Sequence, residues 1–187
     1  MVNPGNIIRH STFKNIRNTG GSGVQQITIQ AIYLDDQMSS WLVENNTFQN
    51  CMTGTFVGGG RLNTFQKNYY EDVDVAHHFD NRGMGWEKSY PNCTCNRKAP
   101  MSGCECNVGA ITYEISGPGG KIWRDMFPTL ISTVNDTKCG TTTLGLIPCY
   151  NDISNNQYCR VKTFCDASST NIQSWHSTIN DNVEHCR

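Results

Sequence analysis

The sequence predicts an all-β fold built as a parallel β-helix, and a repeat, a pattern and a turn residue carry that prediction. The repeat comes first: Ile32-Tyr33-Leu34-Asp35-Asp36, Thr55-Phe56-Val57-Gly58-Gly59 and His77-His78-Phe79-Asp80-Asn81 superpose when residue 35 is set on 58 and 58 on 80. A second ladder runs in phase with the first. Val43-Glu44-Asn45-Asn46-Thr47-Phe48 matches Phe65-Gln66-Lys67-Asn68-Tyr69-Tyr70, with the same pattern upstream in Ile8 to Phe13 and downstream in Ile153 to Tyr158. A unit of about 22 residues holding two short alternating strands cannot bury a face alone, so successive units must stack. Equivalent residues then lie about 4.8 Å apart, the spacing of paired strands.

Each element follows in order. Residues 31–36, 54–60 and 75–81 are expected as neighbouring parallel strands of one face, and the segments at 43–48 and 65–70 as a second ladder in phase with it. The Asn at matched turns (Asn46, Asn68, Asn156) is expected to bond neighbouring backbone and its counterpart in the next unit. A β-sandwich with turns every 8–12 residues is the competing architecture, but it demands no residue-by-residue register. The coils cover residues 1–83 and about 149–187 of one domain, 1–187, interrupted by a Cys-rich insertion at 84–148. Within the insertion, Lys121 to Phe127 reads as a short helix or strand ended by Pro128.

Composition narrows the function classes. The 187 residues carry 15 basic and 16 acidic side chains, a net charge of −1, and no basic cluster longer than Arg97-Lys98, so nucleic acid is not an expected partner. No stretch nears the ~20 apolar residues that span a bilayer. Ten cysteines, nine of them after residue 90, read as a disulfide framework of an oxidising compartment. Zinc at Cys93-x-Cys95 and Cys104-x-Cys106 is the alternative, against the wider spacers that structural zinc uses. Sequons at Asn45, Asn92 and Asn135 are compatible with secretion. The N-terminus has neither a charged start nor an apolar run, so the chain reads as part of a secreted protein, a monomer or a piece of a longer chain.

The run Ala31 to Asp36, the turn Glu44 to Phe48, the segment Phe56 to Arg61 and the stretch His78 to Trp86 together resemble secreted right-handed parallel β-helix proteins related in fold to pectate lyases and polygalacturonases. The resemblance covers roughly residues 6–87 well. It implies the right-handed β-helix and a polysaccharide or glycan as ligand. It does not fix the reaction, because one fold hosts many chemistries. No Gly-His-Gly motif is present to mark a pectinase.

Strand alternation then sorts the side chains. Ile32, Leu34, Val57 and Phe79 are expected inward, sending Tyr33, Phe56 and His78 outward in one row and Asp35, Gly58 and Asp80 in the next. Asp35 and Asp80 stand two units apart, about 9.6 Å at the backbone, with Gly58 as a notch between them. Inverting glycosidases use carboxyl pairs roughly 6.5–9.5 Å apart. The expected catalytic residues are Asp35, Asp80, His78 and Arg82, and the expected sugar-binding residues Tyr33, Phe56, Arg61 and Trp86. Asp35-Asp36 and Asp80-Asn81-Arg82-Gly83 are equally ordinary turn sequences, and aromatics favour strands anyway.

Two enzymatic readings share these residues. Hydrolysis uses Asp35 and Asp80 as acid and base; elimination uses Arg82 or Arg61 against a uronate carboxylate and His78 or Tyr33 as base or acid. No cofactor is expected, although calcium held by Asp35, Asp36 and Asp80 would substitute for the arginine. A non-catalytic extracellular glycan-binding or matrix module is the reading from a different class. His77 is expected inward, as a hydrogen-bonded core residue.

Overall fold

A computed structural model of the chain describes residues 4–18, 29–35, 37–80, 120–134, 136–139, 148–167 and 177–181. Most of these residues lie in or between short parallel strands. In chain order the strands are β1 (Ile7–Arg9), β2 (Thr12–Lys14), β3 (Gln30–Leu34), β4 (Leu42–Glu44), β5 (Thr47–Gln49), β6 (Thr53–Gly58), β7 (Thr64–Gln66), β8 (Tyr69–Glu71) and β9 (Val75–Asp80). After the insertion come β10 (Asp152–Ser154), β11 (Gln157–Cys159), β12 (Thr163–Ala167) and β13 (Thr178–Asn180). The first sheet is ordered β1-β4-β7-β10-β13, the second β2-β5-β8-β11 and the third β3-β6-β9-β12. The chain therefore visits the three sheets in turn, three strands to a repeat where two were expected, and every described strand pair is parallel. An antiparallel sandwich is incompatible with that pairing.

Register agrees with the repeat. Tyr33 pairs with Phe56 and Phe56 with His78, while Gly58 pairs with Asp80, so the strands expected at 31–36, 54–60 and 75–81 are neighbours in phase. The inner residue of each strand forms a column. Ile8, Val43, Phe65, Ile153 and Ile179 line the first sheet, Phe13, Phe48, Tyr70 and Tyr158 the second, and Leu34, Val57 and Phe79 the third. These columns converge on one apolar core. A three-residue strand with one buried centre suffices because the pleat sends its two neighbours outward.

The corners are as regular as the strands. Between the first and second sheets His10, Asn45, Lys67 and Asn155 take φ of 53°, 52°, 55° and 57°, and between the second and third Asn15, Asn50, Asp72 and Arg160 take 59°, 53°, 53° and 51°. Left-handed backbone is several-fold enriched in Asn, Asp and His, which accounts for six of the eight. Directly after the first corner sits the asparagine ladder. Asn46 Nδ2 donates to Asn68 Oδ1 (3.1 Å), Asn68 Nδ2 to Asn156 Oδ1 (2.9 Å) and Asn156 Nδ2 to Asp181 Oδ2 (2.8 Å). The same amides donate to Ile8 O, Val43 O and Phe65 O, so each side chain closes the corner of the repeat beside it.

Beyond the repeat, the segment at Lys121 folds as helix α1 (Gly120–Met126), and Pro128 opens helix α2 (Pro128–Val134). Proline fits there because the first turn of a helix has no use for its missing N–H. Trp123 and Phe127 pack on each other with ring centroids 5.8 Å apart. A 3-10 turn (Thr137–Cys139) leads into the disulfide Cys139–Cys149, whose Cα atoms are 5.6 Å apart. Cys159 is disulfide-bonded too, whereas Cys51 is a buried free thiol. The cysteines at 93, 95, 104, 106 and 186 lie outside the described residues.

Candidate functional site

The outer side of the third sheet holds the residues singled out by the repeat. Tyr33 on β3, Phe56 on β6 and His78 on β9 form one row, with ring centroids 4.7 Å apart for the first pair, edge to face, and 4.5 Å for the second. Beside it runs the acidic column. Gly58 pairs with Asp80, and Asp35 follows Leu34, the partner of Val57, so it continues the register next to Gly58. Two strand spacings separate the backbones of Asp35 and Asp80, about 9.6 Å. Both aspartates are half-buried.

The glycine run in this column has its own packing reason. Gln37 N–H donates to Gly58 O (2.8 Å), which draws residues 37 and 38 against the next strand. A Cβ on Gly60 would lie 1.7 Å from Met38 O, and one on Gly59, whose φ is +84°, 2.8 Å from Gln37 Nε2. Glycines 59 and 60 thus permit the close approach that bends the chain away after Asp35. Gly58 carries no side chain between the two aspartates, and it is itself buried.

Exposure revises three expectations. Phe56 and His78 leave the core as the alternation requires, yet they are only 5% and 4% exposed, so Phe56 does not offer an open face to a sugar ring. Only Tyr33, 43% exposed, is open in this row. Arg61 is also corrected: it is buried, and its guanidinium donates to Thr133 O (2.6 Å) and Cys139 O (2.7 Å), tying β6 to α2 and the disulfide turn. Burial lowers its pKa to about 10, which leaves it charged at neutral pH and strongly bonded to those carbonyls. Arg82, Trp86 and Asp36 lie outside the described residues.

Behind the sheet, His77 is the core residue its position implied. It is fully buried; Tyr158 O–H donates to Asp181 Oδ2 (2.5 Å), which leaves the Tyr158 oxygen to accept from His77 Nε2–H (3.0 Å). His77 Nδ1 then accepts from Thr55 O–H (2.8 Å), so a neutral imidazole satisfies the chain of four. Burial lowers the His77 pKa to about 3 and holds the Tyr158 proton firmly in place. Repeat matching of the outer row did not reveal this relay.

A charged corner was missed as well. Arg17 pairs with Asp74 (2.6 Å), Lys162 with Asp74 (2.7 Å), and Arg160 with both Glu71 (2.6 Å) and Asp72 (2.7 Å). The three cations match three anions, so the cluster balances itself. Burial pushes the Asp74 carboxyl up, and its bonds to Arg17 and Lys162 outweigh that and hold it below the usual carboxylate range. Nothing in it points to a ligand.

No protein-family model matches the chain, and neither a curated protein nor a solved structure matches it. Among the described residues no cluster of three or more His, Cys, Asp or Glu side chains is placed to hold a metal ion, and no helix is long and apolar enough to cross a membrane.

Proposed function

We propose that the three-strand repeat winds as a right-handed parallel β-helix and that the protein acts outside the cell on a polysaccharide, binding or cleaving it at the outer side of the third sheet. Visiting three parallel sheets in rotation is what a solenoid does, and parallel crossovers are right-handed in about 98% of cases. The disulfide Cys139–Cys149 supports an oxidising compartment. The observation that carries the site is the acidic column: two half-buried carboxylates flank a glycine, beside the open ring of Tyr33.

Elimination is left with one of its two candidate cations. A lyase needs a cation to neutralise the uronate, and Arg61 is already committed to backbone carbonyls, which leaves that part to Arg82. A modest tilt of the Asp35 and Asp80 side chains brings their carboxyls into the roughly 6.5–9.5 Å window of an inverting hydrolase, one protonating the leaving oxygen and one activating water. The covered state of Phe56 and His78 favours the second reading, a glycan-binding module without turnover, because it shortens the list of reachable groups.

Incubation with uronate-containing and neutral polysaccharides separates these readings. New reducing ends mark a hydrolase, an unsaturated uronate a lyase, and retention without turnover a binder. For a hydrolase, Asp80→Asn is expected to lower turnover by ~10²–10⁴ while leaving the denaturation midpoint in place. Unchanged turnover in Asp35→Asn and Asp80→Asn on a confirmed substrate would move the chemistry elsewhere.

A further inference from the structure

We propose that Asn45 carries an N-linked glycan, displayed on the corner between the first and second sheets. This inference rests on the extracellular part of the reading above. Of the three Asn-x-Ser/Thr triplets, Asn45-Asn46-Thr47 is the one whose acceptor lies within the described residues. Asn45 is exposed, takes φ of 52°, and its backbone N–H donates to Gln66 O (3.3 Å). Its carboxamide makes no hydrogen bond among the described residues. The backbone is thus held while the side chain projects from a corner.

The neighbouring amide shows why this placement matters. Asn46 is 1% exposed and its carboxamide is bonded to Asn68 and Ile8, so a sugar there would break the ladder. A sugar on Asn45 touches none of those bonds. The matched corner residues His10, Lys67 and Asn155 are exposed in the same conformation, which makes the corner a surface row with room for a bulky group. Only Asn155 among them is another asparagine, and Gln157 stands where its acceptor triplet would need a hydroxyl. Asn45 is therefore the corner position with both the amide and the hydroxyl partner, Thr47.

The transfer requires a lipid-pyrophosphate-linked oligosaccharide as donor, acting on the chain before it folds. A bond forms between Asn45 Nδ2 and the anomeric carbon of the first sugar as the bond from that carbon to the phosphate oxygen breaks. The amide gives up one proton, the lipid pyrophosphate leaves, and nothing is oxidised or reduced. The folded corner then only has to tolerate the product, and an exposed turn does so at small cost.

The test reads the Asn45 peptide of the full-length protein from its own source by mass spectrometry, before and after an amidase that removes N-linked glycans. The expected result is a glycopeptide that the amidase converts to one bearing Asp at position 45. In a eukaryotic secretory host, Asn45→Gln and Thr47→Ala are expected to lose one glycan, Thr47→Ser to keep it, and Gln157→Thr to gain a second at Asn155. An unmodified Asn45 peptide from the source protein would overturn the proposal. If Cys139–Cys149 is formed in that same material, the glycan proposal alone has failed; if both cysteines are reduced, the extracellular reading has failed with it.

Discussion

Two aromatic stacks share the same strand spacing and behave differently. In the inner column of the second sheet, Phe13, Phe48, Tyr70 and Tyr158 follow one another at 5.0, 4.6 and 5.2 Å, with ring planes only 9°, 4° and 12° apart. On the outer side of the third sheet, Tyr33–Phe56 and Phe56–His78 lie at 4.7 and 4.5 Å, but their planes differ by 78° and 30°. Strand pairing sets the distance in both places. Enclosure does not set the angle, since Phe56 and His78 are covered as well: the inner rings lie flat on one another, whereas Tyr33 meets Phe56 edge-on and His78 is tilted against it, arrangements that ring quadrupoles also favour. Stability therefore resides in the inner column and in the covered Phe56 and His78, and Tyr33 is the position of the outer row expected to vary without loosening the repeat.

The largest effect expected from this division is a response to acid inside the core. His77 sits among Thr55, Tyr158, Phe65, Tyr70 and Phe164 with no carboxylate in direct contact, and burial lowers its pKa from 6.5 to about 3. The unfolded chain thus binds this proton more tightly. Stability should be full above pH 6.5 and fall as pH drops from 6.5 toward 3, by about 5 kcal/mol in all at about 1.4 kcal/mol per unit. Chemical denaturation across that range measures it. His77→Gln, which hydrogen-bonds without titrating, should flatten the dependence; an equally steep loss in that variant would assign the acid response to other groups.

Next in size is Phe48→Ala. Phe48 is fully buried and stacked on both faces, so its removal leaves a cavity and two orphaned rings, a cost of about 3–5 kcal/mol. The midpoint of urea unfolding reports it directly. A loss below about 1 kcal/mol would mean that the inner column collapses freely and the division drawn above is wrong.

How much of this was legible differs between the two stacks for the same reason. The inner column, the strand register and the Asn46–Asn68–Asn156 ladder follow from period-two alternation and a repeated turn residue, both of which are written into neighbouring segments. A second ladder escaped notice although its signal was present. Asn63 and Asn151 are 88 residues apart, as are Asn68 and Asn156, and Asn63 N–H donates to Asn151 Oδ1 (2.9 Å). The burial of Phe56 and His78 was not legible, because alternation says which side of the sheet a residue faces and not what lies against that side. Arg61 is the clearest case. Its acceptors, Thr133 and Cys139, lie 72 and 78 residues away in a segment outside the repeat, where no periodicity points back to it.

The smallest expected effect on stability is also the sharpest test of the outer row. Tyr33 is 43% exposed and packs edge-on against Phe56, and a cross-strand aromatic pair contributes roughly 0.2–1 kcal/mol. Tyr33→Ala should therefore shift the unfolding free energy by no more than about 1 kcal/mol, several-fold less than Phe48→Ala. Its effect on polysaccharide retention should be far larger, because Tyr33 is the open ring beside the Asp35–Gly58–Asp80 column. Retention on an immobilised polysaccharide and the unfolding midpoint, measured on one preparation, give the two numbers. Lost retention with an unmoved midpoint assigns the row to binding. A midpoint that falls as far as in Phe48→Ala would make Tyr33 a structural residue and remove the aromatic arm of the proposed site.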